Sequence, residues 1–171
     1  MLSQAELDDR IRVEGLAKCY WDPQLKHNYT SYCEFIKPLH ERRMIRFSLN
    51  KRGDVGTFFV SKKNGKLRLI IDCRQLNQKL KQPPRTHLAS SAAFCEVWVP
   101  GGQSVYYCSH DVADCFYQFR IPRKLSLYLG LRSVVAKDFG ITRINGKPVG
   151  PEHKVYPLLS VLPMGFSFAL H

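Results

Sequence analysis

Apolar residues recur at helical spacing soon after the start of the chain, and this pattern predicts a long helix. The apolar positions are Tyr32, Phe35, Ile36, Leu39, Met44 and Ile45. Positions three or four apart share one helix face, Thr30 or Ser31 is available as the N-cap, and Pro38 predicts a kink. Residues 1–29 mix charges with aromatic side chains without a firm period. We therefore expect residues 1–29 to be a partly ordered N-terminal extension and residues 30–171 to form the main folded unit.

Two β-rich runs joined by Asn64-Gly65 predict a hairpin over residues 55–72. Asn-Gly between two such runs is a strong signal for a tight hairpin turn. With a two-residue turn, Lys63 faces Lys66 across the hairpin. Period-two alternation then separates a basic face from an apolar face, formed by Lys63, Lys66 and Arg68 and by Leu67, Leu69 and Ile71 respectively. The pattern predicts a basic hairpin with an apolar back.

Beyond Pro83-Pro84, turn residues divide the chain into shorter elements, with Gly101-Gly102 leading into one of them. The predicted elements are a short helix at about 88–98 and strands at 105–112, 125–136 and 142–156, the last interrupted by a turn at Asn145-Gly146. No internal repeat is visible, so these elements belong to one irregular arrangement and not to a repeat array.

Basic residues are concentrated in one quarter of the chain. The 171 residues contain 26 Lys and Arg against 14 Asp and Glu, a net charge of +12. Residues 42–85 hold 13 of the basic residues and only Asp54 and Asp72, a net charge of +11. Such a surface attracts polyanions, nucleic acid first and an anionic membrane surface second. No run of 18 uninterrupted apolar residues occurs, so we expect no membrane span.

The six cysteines include no Cys-x-x-Cys pair and no nearby paired histidines. This spacing favours buried free thiols over a zinc site or a redox dithiol. The first residues, Met1 to Glu14, are polar and acidic, whereas a secretory signal is basic and then apolar. We therefore expect an intracellular protein in a reducing compartment, the cytoplasm or the nucleus, that is not secreted.

Two carboxylates, Asp111 and Asp114, follow a predicted strand and are candidates for chemistry. Two hard oxygen ligands at such a place suit Mg²⁺, which takes one or two carboxylates together with substrate phosphates. The alternative is an ordinary Asp-led turn that caps a short helix and leaves Asp114 solvated. On this segment alone, the alternative is the more frequent case.

Two further segments are ambiguous in the same way. The basic face of the hairpin is able to grip a triphosphate, but it is also explained as a solvated polar face. Arg74, two residues after Asp72, is equally well explained as an internal ion-pair partner. The run Leu162 to Ala169, broken by Pro163 and Gly165, predicts a buried corner between a loop and a helix when it is considered alone.

The order of these three segments changes their interpretation. In chain order they read Phe58-Phe-Val-Ser-Lys-Lys-Asn-Gly-Lys-Leu-Arg-Leu-Ile-Ile-Asp-Cys-Arg-Gln-Leu-Asn77, Asp111-Val-Ala-Asp-Cys-Phe-Tyr-Gln and Leu162-Pro-Met-Gly-Phe-Ser-Phe-Ala. Over about residues 31–171 the chain thus resembles the reverse transcriptases of retroviruses and retrotransposons. The resemblance implies an α+β fold, the fingers and part of the palm of a right-hand polymerase, with an antiparallel sheet and packed helices. It also implies RNA-templated DNA synthesis by two-metal nucleotidyl transfer in the complete parent enzyme.

The resemblance assigns a role to each residue of the second motif. Asp111 is the catalytic ligand of Mg²⁺ or Mn²⁺, with the carbonyl of Val112 as a second metal contact. Asp114 and Cys115 line the incoming deoxynucleoside triphosphate (dNTP), mainly through backbone N–H groups. Phe116 packs against the sugar, where its ring collides with a ribose 2′-OH. The implied partners are an RNA or DNA template-primer and a dNTP, and no membrane.

The hairpin and the third motif complete the site that the resemblance implies. Arg68 holds the triphosphate together with Lys63, or with Lys62 if the register is shifted by one residue. The two-residue turn favours Lys63, because it then shares a face with Arg68. Met164 stands where many retroviral members carry a polar residue, and Gly165 lets the backbone approach the nucleotide and the template closely.

The chain departs from the family pattern in one respect that matters for catalysis. The second carboxylate motif, Tyr-x-Asp-Asp, does not follow within the 171 residues, and the early pair Asp8-Asp9 is no substitute. Phosphoryl transfer uses two metal ions about 3.5–4 Å apart, which Asp111 alone does not hold. We therefore expect a fragment truncated before Tyr-x-Asp-Asp and inactive by itself.

Three other functions remain open. The chain is alternatively a non-catalytic nucleic-acid-binding module that uses the surface of residues 42–85. It is alternatively a fragment of an RNA-templated RNA polymerase, against which Phe116 argues. The third alternative is a decayed product that folds poorly, for which a broad and non-cooperative thermal transition is expected.

Overall fold

The computed structural model describes residues 1–86 and 89–170, which form a mixed α/β fold with antiparallel sheets. The helices are α1 Gln4–Glu14, α2 Pro23–His27, α3 Tyr29–Glu41, α4 Arg74–Gln78, α5 Ser91–Cys95, α6 Cys115–Gln118 and α7 Arg123–Ser126. The strands are β1 Ile45–Ser48, β2 Gly56–Ser61, β3 Leu67–Asp72, β4 Val134–Val135, β5 Arg143–Ile144, β6 Lys147–Pro148 and β7 Lys154–Leu159. A 3₁₀ turn covers Ala136–Phe139.

Helix α3 supplies a large part of the core, as its apolar period predicts. Tyr32 and Ile36 are fully buried, and the Tyr32 hydroxyl donates a hydrogen bond of 2.7 Å to the carbonyl of Arg132. The helix begins three residues earlier than predicted, and its N-cap is Asn28, whose side chain accepts from the N–H of Ser31. Asparagine is a strong N-cap, so the predicted caps Thr30 and Ser31 fall inside the first turn.

The central sheet has the strand order β1-β7-β4, with both neighbours antiparallel to β7. Ile45 pairs with Leu159, and both are buried. The strand predicted at 125–136 is confirmed only at its end, where Val134–Val135 form β4 and pair with β7. Its first residues belong to α7, and Gly130 then makes isolated bridges to Asp54 and Leu158. A Cβ on Gly130 would lie 2.8 Å from the carbonyl oxygen of Gly53. Close packing against this loop, and not a regular strand ladder, therefore fixes the position of this segment.

The hairpin β2–β3 is buried at its base and exposed at its tip. Thr57 and Ile71 are buried, whereas Leu67 near the tip is 63% exposed. The predicted apolar back is therefore buried only near the base. The segment before α2 runs along this base: the N–H of Asp22 donates to the carbonyl of Thr57, and a Cβ on Gly56 would lie 1.9 Å from the carbonyl oxygen of Tyr20.

Asp72 ties the N-terminal segment to the hairpin base. Its side chain is 4% exposed and accepts hydrogen bonds from the N–H of Tyr20 at 2.8 Å and from the guanidinium of Arg74 at 2.7 Å. Arg74 is thus an ion-pair partner within the fold. Residues 1–29 contain α1 and α2, and Leu25 of α2 is part of the core. The boundary at residue 29 stays a prediction.

The weakest part of the sequence prediction is the region between α5 and α6. The strand predicted at 105–112 is wrong: the segment is irregular, and Tyr106 is 94% exposed. A strand needs a hydrogen-bonded neighbour, and within the described residues none lies beside this segment. The helix predicted at about 88–98 is α5, shorter than expected, and residue 88 lies outside the described residues.

The predicted turn at Asn145-Gly146 and the predicted burial of the cysteines differ in how well they agree with the structure. The turn at Asn145-Gly146 joins β5 to β6 as predicted, and both residues have positive φ angles, 49° and 79°, as a type I′ turn requires. The six cysteines are free, but Cys95 and Cys108 are exposed and only Cys33 and Cys73 are buried, so the expectation of buried thiols is confirmed only for these two. Within the described residues, no helix combines the length and the apolar character needed to cross a membrane.

Replacing Asp72 by Asn tests the buried carboxylate. Burial by itself raises the pKa of Asp72, but the hydrogen bonds from Arg74 and Tyr20 outweigh it, and the net pKa lies below the ordinary value. The ionised form therefore stabilises the fold above about pH 4, and this contribution is lost as the pH falls through the lowered pKa. We expect Asp72→Asn to lower the free energy of unfolding by about 1–3 kcal/mol at pH 7 and by less at pH 3.

Urea unfolding at both pH values measures the effect. Asp9→Asn is the matched control, because its ion pair with Arg12 joins side chains that are 70% and 78% exposed and therefore lies at the surface. An equal and pH-independent loss in the two variants would contradict the assignment of a structural role to Asp72.

Candidate functional site

A cleft of about 910 Å³ lies between the hairpin tip, the segment leading into α6 and the loop that follows β7. Eight of the ten residues chosen from the sequence line it, namely Lys62, Arg68, Asp111, Val112, Asp114, Cys115, Phe116 and Met164. Three segments that are far apart in the chain therefore meet at one concave surface. Lys63 and Gly165 do not line this cleft.

The hairpin register differs by one residue from the predicted register. Ser61 pairs with Leu67, and the N–H of Lys62 donates to the carbonyl of Lys66 at 2.7 Å. The loop thus contains three residues and ends at Gly65, whose φ of 75° favours glycine. The prediction that Lys63 faces Lys66 is wrong.

The shifted register changes which lysine lies beside Arg68. Arg68 faces Val60, two residues before Lys62, so Lys62 and Arg68 project from the same face of the hairpin. Lys63 belongs to the loop and lines a neighbouring hollow of about 490 Å³ that Lys62 and Arg68 also border. The observed register thus puts Lys62, and not Lys63, on the face of Arg68, and phosphate binding by either lysine stays a prediction.

Tyr117 connects the carboxylate segment to the hairpin. Its hydroxyl donates to the carbonyl of Leu69 on β3 at 3.3 Å, and burial raises the pKa of Tyr117, so the phenol remains a donor at neutral pH. Two residues after α6, Arg120 makes an antiparallel bridge with Val161. These contacts place residues 111–117 between the hairpin and the loop after β7.

Asn77 holds the loop after β7 against α4. Its side-chain amide donates to the carbonyl of Gly165 at 2.9 Å and accepts from the N–H of Ser167 at 3.0 Å. A Cβ on Gly165 would lie 2.6 Å from the carbonyl oxygen of Ile71, so a close approach to β3 accounts for the glycine. The approach of Gly165 to a nucleotide stays a prediction.

Asp111 and Asp114 are both exposed. Asp114 precedes α6 in the left-handed conformation, with φ of 50°, and its carboxylate caps no helical N–H. The exposure of Asp114 and its place before a short helix match the Asp-led turn that the sequence left as an alternative, but the side-chain capping expected there is absent. The described residues contain no group of three His, Cys, Asp or Glu side chains that is able to hold a metal ion. Metal binding by Asp111 and by the carbonyl of Val112 therefore stays a prediction.

The sequence reasoning missed three residues of the cleft at the end of α3. Leu39, Arg42 and Met44 contribute to its lining. Arg42 adds a third cation beside Lys62 and Arg68, facing two carboxylates. The sequence contained a signal for Arg42, because this residue belongs to the basic window of residues 42–85 and lies one turn after the buried face of the predicted helix.

The fold is similar to part of a solved retroviral structure. The crystal structure of the prototype foamy virus protease-reverse transcriptase (native) matches with a TM-score of 0.51 and 17% sequence identity. The match covers 90% of this chain but 17% of that chain, so the present chain corresponds to a small part of the viral protein. No protein-family model and no curated protein matches the sequence. At this identity the likeness concerns the fold, and activity has to be argued from the site.

Replacing Gly165 by Ala tests why a glycine occupies this position. The added Cβ would press on the carbonyl oxygen of Ile71, and this neighbour is a backbone atom, which yields less easily than the end of a flexible side chain. We expect a loss of about 1–3 kcal/mol in the free energy of unfolding, the usual cost of overpacking. Gly101→Ala is the control, since nothing lies within 4 Å of its added Cβ and its φ is not positive. Equal stability of the two variants, measured by urea unfolding, would refute the packing explanation.

Proposed function

We propose that this chain forms the fingers and upper palm of a reverse-transcriptase-like polymerase and that its cleft receives a deoxynucleoside triphosphate. The observation that carries the proposal is the convergence of Lys62 and Arg68 with Asp111, Asp114 and Phe116 on one concave surface. These residues belong to two motifs that are distant in the sequence, the hairpin and the segment that begins at Asp111. The likeness of the fold to part of a retroviral protease-reverse transcriptase supports the same function.

Lys62 and Arg68 are the proposed ligands of the triphosphate. Both side chains are exposed, and neither forms an ion pair with a carboxylate in the described part of the chain. The planar guanidinium of Arg68 offers a bidentate contact to phosphate oxygens, and the ammonium of Lys62 offers a movable point charge. Arg42, at the end of α3, adds positive charge to the same cleft.

Asp111 and the start of α6 form the opposite side of the proposed site. The Asp111 carboxylate and the carbonyl of Val112 would hold Mg²⁺ or Mn²⁺, which neutralises phosphate charge when it is bound. The first N–H groups of a helix lack partners within that helix, so those of Asp114 and Cys115 are available to phosphate oxygens. Met164 closes the cleft on the side of the loop after β7.

Binding, and not catalysis, is the function that we propose for the described residues alone. Only two carboxylates, those of Asp111 and Asp114, line the cleft. Two-metal transfer needs further carboxylates beside them. A non-catalytic phosphate-binding module therefore remains the second candidate function, and the nucleotide preference of the cleft separates the two candidates.

The triphosphate ligands are tested by removing charge on one face of the hairpin. We expect Lys62→Gln together with Arg68→Gln to weaken the binding of dATP with Mg²⁺ by roughly tenfold or more, because charge-assisted hydrogen bonds are lost. Lys63→Gln is the matched control on the same loop, and we expect it to leave the affinity nearly unchanged. Isothermal titration measures all three proteins. A larger loss in Lys63→Gln would show that the observed register does not define the binding face.

Phe116 tests the preference for deoxynucleotides. The ring is half-buried and lines the cleft, where a ribose 2′-OH would collide with it. We expect the chain to bind dATP roughly tenfold more tightly than ATP and Phe116→Ala to bind the two with similar affinity. Competition between the two nucleotides measures the ratio. Equal affinities for dATP and ATP in the unmodified chain would favour the phosphate-binding module or an RNA-templated RNA polymerase fragment.

A further inference from the structure

Two adjoining hollows lie outside the cleft, between β1, α7 and the β5–β6 hairpin. Their volumes are about 410 Å³ and 470 Å³. They share three lining residues, Arg46, Phe47 and Asn145, so they lie side by side, and we call the two hollows together the basic groove. Within the described part of the chain, no residue lines both the basic groove and the cleft.

The basic groove collects positive charge from three separate parts of the chain. Its cations are Arg46 of β1, Arg123 and Lys124 of α7, and Arg143 of β5. No Asp or Glu contributes to its lining. In the described part of the chain, none of these four side chains forms an ion pair with a carboxylate. Four like charges thus face the basic groove without internal neutralisation, an arrangement that attracts an anionic ligand.

Two of the guanidinium groups are held in place by backbone carbonyls. Arg46 donates to the carbonyl of Arg123 at 2.6 Å, and Arg143 donates to the carbonyl of Gly146 at 2.7 Å. Burial and the neighbouring charge of Arg123 lower the pKa of Arg46, which is the signature of a cation that lacks a counter-ion. Orientation by neutral carbonyls leaves the remaining N–H groups of both guanidinium groups available to a ligand.

Aromatic rings line the same groove. Phe47 lies 5.2 Å from Phe139 and 4.9 Å from His40, measured between ring centroids. Phe47 and Phe139 are half-buried, and His40 is exposed. The amide side chains of Asn50 and Asn145 are exposed at the rim and are able to donate and accept hydrogen bonds. Positive charge beside accessible ring surfaces is the combination that binds single-stranded nucleic acid.

We propose that the basic groove binds one strand of nucleic acid, with phosphates on the four cations and bases against the aromatic rings. A single strand is favoured over a duplex, because a duplex keeps its base faces stacked and offers only its phosphates. Binding here is independent of base sequence, since the groove presents charge and ring surface. The site is separate from the proposed triphosphate site and does not depend on it.

Removing three exposed cations tests this site. The variant Arg123→Gln/Lys124→Gln/Arg143→Gln removes three charges from the groove, and Lys26→Gln/Lys37→Gln/Lys154→Gln is the matched control with the same change in net charge on exposed side chains elsewhere. The probe is a fluorescent oligodeoxythymidine of about 12 nucleotides, within the site sizes of known single-strand binders. Fluorescence anisotropy at several salt concentrations measures affinity, and circular dichroism confirms that both variants fold.

We expect the groove variant to reduce the steepness of log affinity against log salt by about 2, because each lost phosphate contact accounts for roughly 0.7. We expect the control variant to reduce this steepness by much less. A Phe139→Leu variant is expected to weaken the binding of the oligonucleotide and not of inorganic polyphosphate, because only the oligonucleotide has bases to stack. Lys62→Gln with Arg68→Gln is expected to leave most oligonucleotide binding intact, which separates this site from the cleft.

Three results would overturn the proposal. Equal losses in the groove variant and its control would mean that net charge alone attracts the oligonucleotide. Loss of all binding in Lys62→Gln with Arg68→Gln would move the strand to the cleft. Equally tight and groove-dependent binding to vesicles containing phosphatidylserine would identify an anionic surface, and not a nucleic acid, as the ligand of this groove.

Discussion

Strand β3 is the element to which the other parts of the site are attached. At its base, the buried carboxylate of Asp72 accepts hydrogen bonds from the N–H of Tyr20 and from the guanidinium of Arg74, so separating the N-terminal segment from the hairpin would break the hydrogen bond from Tyr20 to a buried charge. One residue earlier, the carbonyl of Ile71 faces Gly165. Towards the tip, the carbonyl of Leu69 receives the hydroxyl of Tyr117. One strand thus determines where the three motif segments meet.

This arrangement explains how a hairpin with an exposed tip presents its cations in a defined direction. The base is buried and hydrogen-bonded, whereas Lys62 and Arg68 extend beyond the core. Long basic side chains keep their charge hydrated in such a position, and a phosphate ligand replaces water without a cost from internal ion pairs. The hairpin therefore combines a rigid support with adaptable ligands.

The positive charge of the chain is divided between two surfaces. The basic window of residues 42–85 supplies Arg42, Lys62 and Arg68 to the cleft but only Arg46 to the basic groove. Arg123, Lys124 and Arg143 come from the part of the chain whose net charge is close to zero. Since folding brings them to Arg46 and places no carboxylate among them, the groove is strongly basic although the local sequence is not.

The sequence by itself determined the features that depend on neighbouring residues. These include the buried face of α3 and the Asn-Gly turn between β5 and β6, because helical period and turn chemistry are local properties. The tertiary structure alone decided the features that depend on distant contacts. The three-residue loop that ends at Gly65, with its positive φ, sets a hairpin register in which Lys62 lies on the face of Arg68. Residues 105–112 have no neighbouring strand in the described part of the chain and are irregular. Strand pairing and close approaches such as that of Gly165 to β3 join segments far apart in the chain, and no local pattern records which segments will meet.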